Sequence, residues 1–492
     1  MEHFDLIIVG AGLSGIGAAH YFTEKCPGKT FAILESRDAI GGTWDLFRYP
    51  GIRSDSDMHT LGYDFKPWKE KKAIADGPAI WDYINETAKE DGSDKHIRYD
   101  HKVISAEWSS DNARWTLNVT HKSGKGTSQI SCNFLSMCAG YYDYDEGFTP
   151  VFEGREDFEG MIVHPQKWPE DLDYKDKKVV VIGSGATAVT LVPSMADKAA
   201  KVTMLQRSPT YMINAPSKDW ISNFLRKILP EQTAYNLVRK KNVWRQSLLY
   251  KTSQKSPEKI KKYLRKQAIK ALGNDFPFDP HLTPSYNPWD ERLCLIPDGD
   301  LYESLNAGKA EIVTDHIDHF TKTGLALKSG AHLDADIIVT ATGLNLVVLG
   351  SIDVMVDGQE MDFTQLFAYE GMMFSDIPNL ISTFGYVNAS WTLRADLNAR
   401  FMCRLINYME ANGVRQVTPR APDDMPQRPW LDFAPGYVRR VLHMFPHQGD
   451  REPWLNTQDY IRDRKVLAHH PLDDGYLIFT NPAESEALEA AQ

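Results

Sequence analysis

Cysteine, long apolar runs and an excess of basic charge are all scarce in this chain of 492 residues. The five cysteines are odd in number and scattered without a C-x-x-C pair, which excludes a redox dithiol or a zinc site built on that motif. No apolar run approaches the roughly 18 to 20 residues that a membrane-spanning helix requires. The formal net charge of −11 argues against a general nucleic-acid binder, because that function requires a basic face. Because the cysteines form no such pair, the sequence predicts buried thiols at Cys26, Cys132, Cys138, Cys294 and Cys403.

The rest of the composition is that of an ordinary globular protein. Hydrophobic residues make up 42% of the chain and charged residues 25%, and the length suits two or three domains. The N-terminus opens with polar and acidic residues and then enters a strand, unlike a signal peptide. We therefore expect a cytoplasmic protein with a sizeable core.

A glycine fingerprint follows the first apolar run. Residues 4–9 (FDLIIV) are typical of a central parallel strand, and residues 10–15 (GAGLSG) match G-x-G-x-x-G. In this pattern Gly10 permits a tight turn, Gly12 lets the backbone approach a pyrophosphate, and Gly15 lets the next helix pack closely on the strand. The stretch predicts a dinucleotide site.

An acidic residue completes this first site. The next predicted strand, residues 30–34, ends in Glu35, twenty residues after Gly15, where a carboxylate can bind ribose hydroxyls. Ser14 lies at the start of the intervening helix, whose exposed N–H groups and positive dipole end suit an anion.

A second fingerprint follows a second apolar strand at residues 178–182. The companion strand, residues 201–205, is followed by glutamine, Arg207 and Ser208 instead of an acid. An acid would repel a 2′-phosphate, whereas Arg207 can pair with it, so the second site should select NADPH over NADH. The motif places these residues at the cofactor: Gly183, Ser184, Gly185, Ala186, Thr187 and Ala188.

Two further motifs point to a known family. Residues 41–44 (GGTW) with the first fingerprint are similar to the FAD site of flavin-dependent monooxygenases, and residues 48–55 follow R-Y-P-G-x-R-x-D. Ahead of the second fingerprint stands F-x-G-x-x-x-H-x-x-x-W-P, formed by Phe158, Gly160, His164, Trp168 and Pro169. With this signature the chain resembles the Baeyer–Villiger monooxygenases. Within them it is most similar to the subgroup that includes the ethionamide-activating monooxygenase, by residues 48–58 (RYPGIRSDSDM), residues 183–193 (GSGATAVTLVP) and W-D-x-R-L-C at 289–294. The resemblance covers nearly the whole chain.

The signature segment also has a structural interpretation. Two prolines within residues 158–169 forbid a continuous helix, so the segment reads as an ordered linker. His164 can hydrogen-bond between domains or change its charge near neutral pH.

The resemblance assigns FAD to the first fingerprint and NADPH to the second. It implies an α/β fold with two dinucleotide-binding, Rossmann-like domains and a helical insertion. The expected ranges are 1–150 for the first part of the FAD domain, 151–334 for the NADPH domain, and 335–492 for the second part of the FAD domain with the C-terminal tail. Besides the fingerprint residues, it places these at the flavin: Gly42, Thr43, Trp44, Asp45, Leu46, Arg53, Ser54, Asp55 and Val103.

The family resemblance implies a catalytic role for Arg292. The matching arginine reaches over the flavin, where it would stabilise negative charge on activated oxygen, and Asp55 would hold its guanidinium group. Many relatives have a lysine just before this arginine that helps to hold the 2′-phosphate, but this chain has Glu291. The expected preference for NADPH therefore depends more heavily on Arg207.

The predicted insertion at about 216–280 is strongly basic. Between residues 226 and 270 there are fourteen Lys or Arg and two Glu, an excess of +12 in an acidic protein. One interpretation is a solvated helical segment balanced by acidic neighbours. The other is peripheral contact with an anionic membrane, since apolar residues are interspersed with the basic ones.

The expected activity is NADPH- and FAD-dependent insertion of one oxygen atom of O2 beside a ketone carbonyl, which gives an ester or lactone. By the same resemblance, thioethers and thioamides are further expected substrates. Two alternatives stay open: a flavin monooxygenase restricted to N- or S-oxygenation, and an NADP-sensing flavoprotein without catalysis. A disulfide reductase needs a dithiol that the sequence lacks.

Overall fold

The apolar runs that precede the two glycine fingerprints each become a central strand of a sheet. The computed structural model describes residues 1–122, 124, 126–291, 293–431 and 436–482. The predicted catalytic Arg292 therefore lies outside the described residues.

The first sheet has nine strands, and both ends of the chain contribute to it. Across the sheet the order is Gln359–Glu360, Asp353–Val356, Lys102–Ser109, Arg114–Thr120, Thr127–Met137, Glu2–Val9, Phe31–Leu34 and Ile97–Arg98, with Leu380–Ser382 paired to Thr127–Met137. The strand Glu2–Val9 is parallel to both of its neighbours. Lys102–Ser109, Arg114–Thr120 and Thr127–Met137 form an antiparallel meander.

The second sheet has five strands, all parallel. Their order is Ala310–Thr314, Lys201–Gln206, Lys178–Ile182, Ile337–Thr340 and Met161–Val163. It is built entirely from residues 161–340, between the two parts of the chain that form the first sheet. The two sheets confirm the predicted α/β class.

Alternation along each central strand directs side chains to two cores. Leu6 and Ile8 pack in the core that includes the fingerprint helix Leu13–Lys25, and Ile7 packs on the opposite face with Trp108. In the second sheet Val179 and Val181 face the helix Ala186–Ala196. Successive side chains of these apolar strands point to opposite faces, so both faces of each sheet are buried.

The remaining strands form small sheets at the edges. Their pairs are Tyr211–Ala215 with Leu293–Pro297, Ile317–Thr321 with Gly324–Leu327 and His332–Asp334, Tyr142–Gly147 with Leu344–Leu346, Ala368–Tyr369 with Met373–Phe374, Gln416–Pro419 with Leu477–Thr480, and Arg428–Pro429 with His447–Gln448.

Helices cover the sheets and form the insertion. Outside the insertion the α-helices are Leu13–Lys25, Thr43–Leu46, Met58–Leu61, Gly77–Asp91, Ala186–Ala196, Asp300–Asn306, Trp391–Ala411, Gly436–Arg439 and Tyr460–His469. The predicted basic segment carries the helices Trp220–Ile228, Glu231–Lys255, Pro257–Leu272 and Phe278–His281. No helix in the described ranges is both long and apolar enough to cross a membrane.

A buried arginine anchors the insertion to the rest of the chain. Arg239 donates hydrogen bonds to the carbonyl oxygens of His59 at 2.8 Å and Gly62 at 2.7 Å, and it pairs with the Asp396 carboxylate at 3.1 Å. Arg239 and Asp396 are 7% and 5% exposed, so each buried charge needs the other to offset its loss of hydration. The five cysteines are free and buried, as predicted.

Candidate active site

One cavity of 1320 Å³ is lined by residues of both fingerprint regions. The predicted site residues that line it are Gly10, Gly12, Ser14, Glu35, Gly42, Thr43, Trp44, Leu46, Arg53, Ser54, Asp55, Val103, Ala186 and Thr187. Among the described residues that were also predicted, Gly15, Asp45, Gly183, Ser184, Gly185, Ala188, Arg207 and Ser208 do not line it.

The first fingerprint forms a tight crossing beside the cavity. Gly10 has φ of 103°, and a Cβ atom there would lie 2.5 Å from the carbonyl oxygen of Cys138. A Cβ atom at Gly15 would lie 1.9 Å from the carbonyl oxygen of Gly10. Only glycine fits at these two positions, because backbone atoms occupy the space of a side chain.

The helix N-terminus beside this crossing is open toward the cavity. Gly12 is the N-cap of Leu13–Lys25, and within the described chain no side chain caps the helix there. Uncapped N–H groups at a helix N-terminus favour an anion. Ser14 lines the cavity and accepts a hydrogen bond from Trp391 Nε1 at 2.7 Å.

Glu35 ties the fingerprint loop to the end of its strand. The side chain is 5% exposed, and its Oε2 accepts a hydrogen bond from the Ala11 N–H group at 2.8 Å. Oε1 accepts a second one from the Arg37 N–H group at 2.9 Å. The carboxylate is thus held in place while it lines the cavity.

Asp45, which the resemblance places at the flavin, is the centre of a buried ion-pair cluster in the structure. Its carboxylate is 4% exposed and accepts hydrogen bonds from both Arg37 and Arg48. This buried pairing fixes the loop after the GGTW motif. Asp45 itself does not line the cavity. Arg37 does line it and was not predicted, because a single arginine after a strand carries no sequence signal.

Arg53 provides a free donor in the cavity wall. Its Nη1 pairs with the Asp300 carboxylate, while its Nη2 is buried and has no hydrogen-bond partner in the part of the chain that the structure describes. An unpaired buried donor is costly, so a ligand acceptor beside Arg53 would be favoured. Asp55, two residues later, also lines the cavity.

Tyr144 is a site residue that the sequence did not reveal. Its hydroxyl lies 3.4 Å from Thr43 Oγ1, and burial raises the pKa of Tyr144 to about 12. The phenol therefore stays neutral at physiological pH and can donate a hydrogen bond. It lies in the strand Tyr142–Gly147, whose alternating polar residues gave no motif.

The loop after the GGTW motif reaches the second fingerprint. Gly51 has φ of 76°, and a Cβ atom there would lie 1.8 Å from Ser194 Oγ on the helix Ala186–Ala196. The glycine of R-Y-P-G is therefore required for close contact between the two halves of the cavity.

The second fingerprint repeats the crossing of the first. Gly183 has φ of 140°, and a Cβ atom there would lie 2.3 Å from the carbonyl oxygen of Ala341. Gly185 is different, since a Cβ atom there would meet no described atom within 4 Å. The Ser184 hydroxyl donates to the carbonyl oxygen of Ser208 at 3.0 Å, which joins the fingerprint loop to the loop after the companion strand.

The companion strand Lys201–Gln206 ends in a buried residue, and the two residues after it are exposed. Gln206 is 1% exposed, and its amide donates to the carbonyl oxygen of His281 and to Thr314 Oγ1, both at 2.8 Å. Arg207 and Ser208 are exposed beside the fingerprint loop. Glu291 pairs instead with Arg439 at 3.0 Å.

The signature residues do not line the cavity, and Met161–Val163 within their segment form the edge strand of the second sheet. His164 Nε2 donates to the carbonyl oxygen of Gly343 at 3.2 Å, and Nδ1 accepts from the Gln166 N–H group at 3.2 Å. Phe158 is buried against Phe320. The segment predicted as an ordered linker thus includes a strand of the second sheet, and His164 contacts the chain just after the strand Ile337–Thr340.

The other signature residues also pack against backbone or core. A Cβ atom at Gly160 would lie 2.5 Å from the carbonyl oxygen of Asp336. Trp168 is partly buried against the core of the second sheet, and Pro169 follows it in the same partly exposed position.

Comparison with known proteins agrees with this architecture. A family model described as flavin-binding monooxygenase-like matches residues 5–407. The chain is 53% identical to the FAD-containing monooxygenase EthA of Mycobacterium tuberculosis over 480 residues, 97% of this chain and 98% of that protein. It is 46% identical to the probable FAD-binding monooxygenase AlmA of Acinetobacter baylyi over 487 residues, 98% of this chain and 97% of that protein.

Two solved structures share the fold at low sequence identity. An oxidized steroid monooxygenase bound to NADP superposes with a TM-score of 0.77 at 23% identity, over 97% of this chain and 100% of that one. The open structure of cyclohexanone monooxygenase gives a TM-score of 0.76 at 20% identity, over 98% of this chain and 100% of that one. With the match to the family model and the extent of identity to the curated relatives, this chain belongs to the flavin-binding monooxygenase-like family of enzymes.

Proposed function

We propose that this enzyme is a Baeyer–Villiger monooxygenase that uses FAD, NADPH and O2 to convert a ketone into an ester or lactone. The observation that carries the proposal is the single cavity lined by both fingerprint regions. A reaction that passes electrons from one dinucleotide to another requires both to reach one space. The names of the relatives and of the structural neighbours support the same cofactors.

The first fingerprint suits the FAD. Gly10, Gly12 and Ser14 line the cavity at an uncapped helix N-terminus, where a pyrophosphate would be stabilised. Glu35 is held where it can accept from ribose hydroxyls, and Thr43 and Tyr144 supply neutral polar groups. Residues 1–150 and 335–492 would form this FAD-binding domain, with Gly42, Trp44, Leu46, Ser54 and Val103 in its wall.

The second fingerprint suits NADPH. Gly185 leaves open space at the N-terminus of Ala186–Ala196, so a phosphate can approach the backbone closely. Arg207 is exposed beside this loop, where its guanidinium group can pair with a 2′-phosphate. Residues 151–334 would form this NADPH-binding domain.

When bound, the cofactors supply hydride and a flavin able to react with O2, while the protein binds, orients and excludes water. The unpaired Nη2 of Arg53 would donate to an acceptor on a bound cofactor. Asp55 would orient the guanidinium group of Arg292, which the family resemblance places over the flavin. Trp44, Trp289 and Trp391 line the cavity and would keep water from the reacting atoms.

The decisive experiment is product analysis with isotopically labelled oxygen. The purified enzyme, loaded with FAD, would receive NADPH, ¹⁸O₂ and a panel of linear, cyclic and aryl ketones and thioethers. We expect esters or lactones that carry one ¹⁸O atom, detected by mass spectrometry. Sulfoxides without any ester would indicate a monooxygenase restricted to heteroatoms, and an FAD-loaded protein that never oxidises NADPH would indicate the sensing role.

A further inference from the structure

The first helix of the insertion exposes a stripe of large apolar side chains. Trp220, Phe224 and Ile228 follow one another at intervals of four residues and are 74%, 54% and 59% exposed. Residues four apart share one face of a helix, so these side chains form one strip. Single exposed apolar residues are ordinary, but a continuous strip marks a contact surface.

The second helix of the insertion, which packs against the first, has an exposed strip of its own. Leu237, Trp244 and Leu248 are 46%, 62% and 49% exposed and lie at intervals of seven and four residues. Lys240 lies on the same face by helical spacing, three residues from Leu237 and four from Trp244. Apolar and cationic side chains are therefore interleaved on one surface.

Most of the positive charge on the insertion is not neutralised by the protein. Lys241, Lys251 and Lys261 are paired with Asp219, Asp459 and Glu258. In the described part of the chain, the following form no ion pair: Arg226, Lys227, Lys240, Arg245, Lys255, Lys259, Lys262, Lys266 and Lys270. The excess of cations that the sequence predicted thus persists in the folded protein.

This surface continues into the mouth of the cavity. Trp220 and Leu248 are both exposed and line the cavity, and so do Lys218 and Arg245. Ile221, Leu249 and Ile260, also from the insertion, line the cavity too and are less exposed. An apolar molecule on the exposed strip would therefore meet apolar side chains of the insertion in the cavity lining as well.

We propose that this rim, defined by Trp220, Phe224, Trp244 and Leu248 with their cationic neighbours, docks on an anionic lipid bilayer. Exposed tryptophans suit the boundary between headgroups and acyl chains, and unpaired lysines attract anionic headgroups. A second copy of this chain fits less well, because a symmetric contact would bring two cationic surfaces together.

Docking would also define the substrate class. If the enzyme oxygenates ketones as proposed above, its preferred substrates would be apolar ketones dissolved in the bilayer, which enter the cavity past Trp220 and Leu248. Docking itself requires no turnover, so it can be tested independently of the oxygenation.

The test is flotation of the full chain with lipid vesicles. Wild type should float with vesicles of phosphatidylcholine and phosphatidylglycerol, float weakly with phosphatidylcholine alone, and be released by high salt. Lys227→Glu with Lys240→Glu should lower the partition coefficient at least roughly tenfold. Phe224→Ser with Trp244→Ser should lower it even in low salt, since these residues supply apolar contact.

Matched substitutions elsewhere serve as controls. Lys175→Glu with Lys177→Glu, and Val151→Ser with Ile478→Ser, alter exposed residues outside the insertion and should leave flotation within about twofold of wild type. Turnover of a water-soluble ketone without vesicles should be unchanged in all four variants, whereas turnover of a vesicle-borne ketone should fall only in the insertion variants.

Two results would overturn the proposal. One is wild-type protein that stays with neither kind of vesicle, above all if light scattering shows a dimer that the insertion variants disrupt. The other is equal loss of flotation in the insertion and control variants. Flotation without any oxygenation would instead leave the docking intact and refute the proposed activity.

Discussion

His164 donates through Nε2 to the carbonyl oxygen of Gly343, a residue 179 positions later in the chain. The same ring accepts from the Gln166 N–H group through Nδ1, so the two bonds together require the neutral imidazole with its proton on Nε2. Burial lowers the pKa of His164 below its ordinary value, although the backbone bond at Gly343 opposes the shift. The signature histidine thus holds the linker while uncharged.

The first prediction concerns pH. Because the folded protein binds the His164 proton less tightly than the unfolded chain, this contribution to stability is present above about pH 6.5 and is lost as the pH falls below it. His164→Ala should lower stability by about 1 to 3 kcal/mol at pH 7.5, and the gap should shrink by pH 5. Thermal unfolding across that range measures it. The exposed His443→Ala is the control, and a gap that does not change with pH would contradict the assignment.

Two glycine substitutions should distinguish an effect on folding stability from an effect on cofactor binding. Gly183→Ala should destabilise the fold by at least about 1 to 3 kcal/mol, because φ of 140° is strained for alanine and the Ala341 carbonyl oxygen occupies the site. Gly185→Ala, with φ of −78° and open space, should keep its melting temperature but bind NADPH more weakly. Calorimetry and NADPH titration measure the two effects. Equal NADPH affinity in wild type and Gly185→Ala would refute a phosphate at that position.

Arg207→Ala tests the choice between NADPH and NADH. Loss of a charge-assisted bond to the 2′-phosphate should raise the KM for NADPH by roughly 10- to 100-fold, which corresponds to about 1.5 to 3 kcal/mol. The KM for NADH should hardly change, because NADH lacks this phosphate. Lys198→Ala removes another exposed cation and is the control. A wild-type enzyme that uses both cofactors equally would rule out this role of Arg207.

Arg239→Met should be among the most destabilising substitutions in the insertion. Burial and the Asp64 carboxylate raise the pKa of Asp396, and Arg239, ahead of Arg400, opposes that rise. Removing one partner of a buried pair typically costs about 3 to 5 kcal/mol. The exposed neighbour Lys240→Ala should change stability by less than about 0.5 kcal/mol. Urea unfolding compares the two, and a small effect of Arg239→Met would show that the insertion has another anchor.

Arg292→Ala tests the chemical step. If the arginine stabilises charge on activated oxygen, the variant should still bind FAD and NADPH and reduce the flavin, yet form ester at least roughly 10² to 10³ times more slowly, with hydrogen peroxide in its place. A surface arginine with only an exposed ion pair would contribute about 0 to 1 kcal/mol. Rapid-mixing spectra and product analysis distinguish these cases. Normal ester yield would refute the catalytic role.

Features that depend on a few consecutive residues could be read from the sequence. The spacing of Gly10, Gly12 and Gly15 determines a strand, a turn and a helix within a short stretch, and the structure forms them there. The same holds for Gly183 and Gly185. Local steric demands decide these elements, so sequence alone was sufficient.

Features that depend on distant partners could not be read in this way. Ser14 could be placed at the first fingerprint from the motif, but the hydrogen bond that it accepts from Trp391, 377 residues later, is known only once the chain folds. Arg239 and Asp396 are 157 residues apart, and only tertiary packing brings them together. Long-range pairing of this kind leaves no periodic pattern in the sequence.

The first sheet takes strands from two parts of the chain that are far apart in sequence. This determines the order in which the chain can fold during synthesis. The second sheet needs nothing beyond residue 340, so it can assemble while the ribosome is still translating. The first sheet must wait for Asp353–Val356, Leu380–Ser382 and the covering helix Trp391–Ala411, although its strand Glu2–Val9 emerges first. Until then the face of the helix Leu13–Lys25 that packs against Trp391–Ala411 lacks its partner. A nascent or truncated chain that ends near residue 350 would therefore present this face to chaperones or to other nascent chains.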